Sequence, residues 1–151
     1  MTNKNKIFTF WEPKENIPAY IQLCLKTWEK FLPEYEIVVL DYSNLDKYLG
    51  KNFYDEILYK DFRFHILSDA IRAALLKLYG GIWLDADTII TSSEVKNFFN
   101  ISSHELVFIG EHLAFIKADK KSSILNCWLE KIHYNLKCIL RQSVIKGFDA
   151  E

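Results

Sequence analysis

Apolar and polar positions follow two periods along this chain, and the segments that carry them alternate. Lys6 to Trp11 (KIFTFW) is short and β-prone and predicts a strand, followed by a loop holding Pro13 and Asn16. From about Pro18 to Phe31 the period changes to that of a helix, with Ile17, Ile21, Cys24, Leu25, Trp28 and Leu32 on one stripe and Pro18 suited to the first turn. Glu36 to Leu40 predicts a second strand. Asp41 or Ser43 is placed to cap a short helix over about Leu45 to Leu49, and Asn52 another over about Phe53 to Tyr59. Asp41 has an alternative use as a nucleotide contact.

Phe64 to Tyr79 (FHILSDAIRAALLKLY) is rich in helix formers, and Gly80 after it suits a left-handed C-terminal cap. Its apolar residues run nearly all the way round, which predicts a buried helix. Ile82-Trp83-Leu84, opened by a glycine pair, reads as a buried strand, with Thr88 to Ile90 continuing extended. Leu106 to Ile109 and Leu113 to Ile116 read as a strand pair, and Ser122 to Gln142 as an amphipathic helix. This alternating order predicts a single α/β domain over residues 1–151 with a mostly parallel central sheet of Rossmann-like type.

Within that frame the polar residues in apolar surroundings stand out. Asp85 and Asp87 close the third strand, and strand alternation would put both on one face with Ala86 on the other. Two neighbouring carboxylates repel unless a cation intervenes, and hard oxygen ligands suit Mn²⁺ or Mg²⁺. In the buried helix Asp69 and Arg72 lie three positions apart on the face that also carries His65. Burying Asp and Arg is unfavourable unless they pair or bind something, so a core ion pair and a ligand contact are the two readings.

Composition narrows the classes. Half of the 151 residues are hydrophobic and 15% aromatic, enough for a proper core. A net charge of −1 gives no case for nucleic acid as a partner. Cys24, Cys127 and Cys138 are odd in number and lack C-x-x-C spacing, so they read as reduced core thiols. No stretch near the N-terminus reads as a signal peptide and none has the length of a membrane span, so a cytoplasmic protein is expected. Residues 117–151 hold seven Lys or Arg against four acids. That excess fits a solvated helix face, with peripheral contact to the inner membrane face as the other reading.

The run Ser68-Asp69-Ala70-Ile71-Arg72 through Leu78-Tyr79-Gly80-Gly81-Ile82-Trp83-Leu84-Asp85-Ala86-Asp87-Thr88 resembles the central motif of the bacterial capsular-polysaccharide and α-glycosyltransferase group known as glycosyltransferase family 32. More distantly it is similar to the core of the large bacterial glucosylating toxins. Ile7 to Trp11 resembles the first strand of that group, and Cys24-Leu25-Lys26-Thr27-Trp28 with Leu32-Pro33 resembles its C-x-x-S/T-W helix region. The likeness runs from about residue 6 to about residue 95, a donor-binding core, and thins over about 96–151, the acceptor side. Group members often carry Asn and Gly where this chain has Glu111 to Lys117, and His112 is the available substitute. The chain stops at Glu151, short of typical members, so either a compact variant or a shortened form is expected.

The resemblance implies a GT-A-type nucleotide-diphospho-sugar transferase fold and a metal-dependent, retaining hexosyltransferase of bacterial surface polysaccharide synthesis. It implies that Asp87 is the main metal ligand, with Asp85 at ribose or sugar hydroxyls and a metal-bound water, and that Asp69 and Arg72 orient the transferred sugar. It implies that Trp11 stacks on the base. Trp83 stands where the group often has Tyr and reads as packing. The donor would be a nucleotide sugar, UDP-linked by preference, and the acceptor a glycan or lipid-linked glycan. Two other classes compete. One is a sugar-nucleotide-binding module without turnover. The other is a haloacid-dehalogenase-type phosphohydrolase, whose first motif Leu84 to Thr88 resembles; Ile89 and the lack of a later Asp-Asp pair speak against it.

Overall fold

The computed structural model describes residues 5–51, 64–101, 104–109 and 113–148. The helix expected over about Phe53 to Tyr59, and His112, lie outside them. The chain order is β1 (Lys6–Phe10), α1 (Ala19–Phe31), β2 (Glu36–Leu40), α2 (Leu45–Leu49), α3 (Phe64–Tyr79), β3 (Gly81–Leu84), α4 (Lys96–Phe99), β4 (Leu106–Phe108), β5 (Phe115–Ala118) and α5 (Ser123–Phe148). Short 3-10 turns at Lys14–Asn16 and Ser93–Val95, and α4 itself, carry no periodic signal and were not expected.

The five strands form one sheet in the order β2-β1-β3-β5-β4. β1 pairs in parallel with both β2 and β3, whereas β5 is antiparallel to both β3 and β4. The sheet is therefore mixed, which corrects the expectation of a mostly parallel one. The cause is the connection between β4 and β5, residues 109–114, which is long enough for an antiparallel return and too short for a parallel crossover. β5 also begins two residues later than expected, with Leu113 and Ala114 in the turn before it.

Alternation along the strands builds a core on each face. Phe8, Phe10, Val38, Leu40, Trp83, Ile116 and Ala118 face one side, where Ala70, Ile71, Leu75 and Leu76 of α3 and Leu125 of α5 cover them. Ile7, Ile82, Leu84 and Phe115 face the other side, under Trp28 and Leu32. Apolar burial on both faces explains why the strands read as continuous apolar runs.

Gly80 and Gly81 join α3 to β3 and hold the geometry of the whole centre. Gly80 has φ +66° and donates its N–H to the Leu76 carbonyl at 2.8 Å, the expected left-handed cap. Gly81 has φ +99°, and a Cβ there would stand 2.7 Å from the Lys6 carbonyl oxygen. Only glycine lets β3 approach β1 in the register Ile7 to Ile82 and Phe8 to Trp83. Of the three cysteines, Cys24 is buried as expected, but Cys127 is exposed and Cys138 half-buried. The periodicity of α5 did not reveal that Cys127 lies on its solvent side.

Candidate active site

From β1 the chain runs through α1 to β2 on one side, and through α3 to β3 on the other. The neighbouring parallel strands β1 and β3 therefore part company at their carboxyl ends, which opens a crevice where connections leave in opposite directions. Trp11 directly follows β1 and Asp85 directly follows β3, so both stand at that edge. Because α3 runs back against β3, its first half, with Ser68, Asp69 and Arg72, lies over the same edge. A cleft of about 230 Å³ results, lined by Phe10, Trp11, Ser68, Arg72, Trp83, Asp85, Ala86 and Asp87.

The convergence of the acids differs from the strand argument. β3 ends at Leu84, and Asp85 to Thr88 form a turn in which the Thr88 N–H donates to the Asp85 carbonyl at 2.9 Å. The turn, and not the pleat of a strand, brings Asp85 and Asp87 to one cleft, and Ala86 lines it as well.

Arg72 is buried and engaged on all sides. Its Nη1 donates to the Leu113 carbonyl at 2.5 Å and its Nη2 to Ser68 Oγ at 3.0 Å. Asp69 Oδ1 lies 3.4 Å from Nε, and Asp85 Oδ1 lies 3.4 Å from Nη2. The guanidinium also stacks over the Trp83 ring, 5.1 Å from its centroid. Arg72 is thus both a buried ion-pair centre and part of the cleft wall. The two readings of the sequence are not exclusive.

Asp85 is half-buried, and its Oδ1 accepts from Trp83 Nε1 at 2.7 Å. Trp83, expected to pack only, is fully buried and also fixes this carboxylate. Asp87 is exposed, projecting from the turn. Burial first and the Asp87 charge second push the Cys24 thiol above its ordinary value. Among the described residues no group of three or more His, Cys, Asp or Glu side chains converges as a metal cage. Two hard carboxylates completed by phosphate and water oxygens are nonetheless a donor set that Mg²⁺ or Mn²⁺ accepts, so the residues fit such an ion.

The family model for capsular polysaccharide synthesis protein matches residues 1–139. This chain belongs to that family. A solved structure, the PaToxG glycosyltransferase, superposes with a TM-score of 0.60 at 20% identity, covering 88% of this chain and 60% of that one. This chain thus has an α/β fold with a mixed sheet that resembles a GT-A-like glycosyltransferase fold, and spans about 60% of the PaToxG chain. No curated protein matches the sequence.

Of the expected site residues, Trp11, Arg72, Asp85 and Asp87 share the cleft, and Asp69 reaches it through Arg72. Asp41 does not: its carboxylate is buried, accepting from Ser43 Oγ at 2.7 Å and the Asn44 N–H at 3.0 Å, so it organises the turn into α2. The backbone carbonyls of Leu113 and Ala114, which hold Arg72 and the Asp85 N–H, gave no signal in the sequence because any residue supplies a carbonyl. No helix among the described residues is long and apolar enough to cross a membrane.

Proposed function

We propose that this protein is a metal-dependent glycosyltransferase that takes a sugar from a nucleotide diphosphate, UDP by preference, to a glycan or lipid-linked acceptor in bacterial surface polysaccharide synthesis. The observation that carries the reading is the placement of Trp11, Arg72, Asp85 and Asp87 around one crevice at the carboxyl edge of β1 and β3. An aromatic face, a guanidinium and two carboxylates are the parts that a base, a diphosphate and a divalent cation require.

Each side chain takes a role from its surroundings. Exposed Asp87 is the direct ligand of Mn²⁺ or Mg²⁺, while Asp85, whose Oδ1 is held by Trp83 and Arg72, binds ribose or sugar hydroxyls and a metal-bound water. Trp11 stacks on the base. Arg72 orients the transferred sugar and offsets phosphate charge, and Asp69 supports Arg72. When bound, the cation supplies Lewis-acid stabilisation of the departing diphosphate. No carboxylate is placed here as a nucleophile, so the reading is retention by attack on the face the diphosphate leaves. In this mechanism the acceptor proton passes to that diphosphate. Work at the cytoplasmic membrane face, with the Lys and Arg excess of residues 117–151 as a peripheral contact, belongs to the same proposal.

The test is calorimetry with UDP-, GDP- and dTDP-sugars, in Mn²⁺ and in chelator, paired with an assay for released nucleoside diphosphate. Metal-dependent binding of one nucleotide with turnover supports the proposal. Equal affinity in chelator removes the metal from it, and binding without release leaves a donor-binding module.

A further inference from the structure

The cleft turn is pinned at both of its ends, and one of the pins comes from a helix with no residue in the cleft. On the incoming side the Asp85 N–H donates to the Ala114 carbonyl at 2.8 Å. On the outgoing side the chain from Thr88 to Ile90 belongs to no strand, so its backbone groups have no ladder partner. α1 supplies the partners. Trp28 Nε1 donates to the Thr88 carbonyl at 2.7 Å, across 60 positions of sequence. Thr27 Oγ1 accepts from the Ile90 N–H at 3.0 Å and itself donates to the Cys24 carbonyl at 2.6 Å, one turn back in α1.

We propose that Thr27 and Trp28 are positioning residues for the Asp85–Thr88 turn, setting the direction in which Asp87 presents its carboxylate. The inference rests on the reading of Asp87 as the metal ligand. Trp28 is fully buried, so its indole N–H must find an acceptor within the protein. That acceptor is the carbonyl of the residue next to Asp87. A Thr hydroxyl that accepts and donates at once fixes its own rotamer, and with it the position of Ile90. Asp87 therefore projects from a turn whose two flanks are both fixed, although its own side chain is exposed. A ligand held in this way needs little reordering when a cation and a diphosphate arrive. The same two contacts supply a physical reason for a small hydroxyl residue followed by Trp in this helix.

The experiment compares Thr27→Val, Thr27→Ser, Trp28→Phe and, as a control, Ile21→Val, a fully buried α1 residue outside these contacts. Two quantities are measured: amide hydrogen exchange over residues 85–90, and affinity for UDP with Mn²⁺ by calorimetry. Thr27→Val and Trp28→Phe should speed exchange of those amides selectively. They should also weaken Mn²⁺-dependent UDP binding about 10- to 100-fold, the scale of lost outer-shell support at a metal site. Thr27→Ser, which keeps the hydroxyl, and Ile21→Val should stay within about threefold of the parent in affinity, as a loss confined to packing does not redirect a ligand. Exchange unchanged in both Thr27→Val and Trp28→Phe overturns the proposal, as does an equal affinity loss in Ile21→Val. If the parent protein fails to bind UDP with Mn²⁺ while the exchange effect stands, the metal reading falls and the anchoring of the turn survives.

Discussion

At the carboxyl edge of the sheet a cleft of about 230 Å³ opens beside Trp11, Arg72, Asp85 and Asp87, while at the amino edge a pocket of about 250 Å³ lies among Asn5, Tyr35, Tyr79, Asn100, Lys117 and Lys120. Size does not separate them, and charge arrangement does. At the amino edge Lys117 is paired with Asp119 at 2.7 Å, and the end of α3, where backbone carbonyls are in excess, closes on Gly80 nearby. Nearby, the Glu105 carboxylate accepts from the Ser123 N–H and hydroxyl, at 3.2 and 2.8 Å, and so caps the start of α5. These groups satisfy one another and hold elements together. At the carboxyl edge Asp69, Asp85 and Asp87 stand with the Arg72 guanidinium, an arrangement on which the proposed cation site rests. The parting of two crossover connections makes a crevice at one edge, whereas the other edge receives a glycine turn that must be tightly packed.

The sharpest way to break that comparison is Asp87→Asn. Metal-dependent UDP affinity should fall by at least about 100-fold, more than loss of an outer-shell partner costs, because the ligand itself is removed. The melting temperature should hardly move, since the side chain is exposed. Calorimetry and thermal melts on the same sample read both.

Arg72→Lys follows, and its effect divides. Lysine keeps the charge but loses the planar fork that reaches Leu113, Ser68 and Asp85 together. Stability should drop by about 2 kcal/mol, as for charged hydrogen bonds to buried groups, and UDP affinity about tenfold. Urea melts with parallel titrations would show whether cleft and core share this residue. Trp11→Ala should weaken UDP about tenfold, the scale of one base on one aromatic face, with GDP and dTDP weakened alike if stacking is what is lost.

At the amino edge the expected effects concern stability alone. The hydrogen bonds from Ser123 hold the Glu105 carboxyl below its ordinary range. Its contribution is present above the ordinary glutamate value and fades as pH falls through the lowered native value. Glu105→Gln should flatten that acid limb of a pH series of melts and leave UDP binding in place. Lys120→Ala is the smallest: exposed, and lining only the amino-edge pocket, it should change UDP affinity by less than about twofold. A larger loss there would mean that the two edges are not functionally distinct.

Much of the frame was legible because it depends on local rules. α3 matches its expected bounds, Phe64 to Tyr79, since a nearly all-round apolar pattern closed by glycine leaves little choice. β1, α1 and β2 fall within a residue of expectation for the same reason. The glycine pair before Ile82 opens a buried strand as expected, and the structure adds that Gly81 lets β3 approach β1 closely. Residue type and spacing also singled out Asp69, Arg72, Asp85 and Asp87, because acids and a guanidinium beside apolar runs are uncommon without a reason, whereas Trp11 came from the family resemblance.

The tertiary structure decided what those residues meet. The mixed sheet came from strand pairing across residues 109–114, and no short-range pattern states which edge a returning strand will choose. Asp41 became a turn organiser because Ser43 and Asn44 fold back on it. Trp83 gained a polar role only because its indole N–H points at Asp85. The support of the cleft turn comes from positions 27, 28 and 114, joined to it through backbone carbonyls and amides. Every residue carries those groups, so the sequence by itself nominated side chains that meet at the cleft, and only the folded backbone determined how they are held.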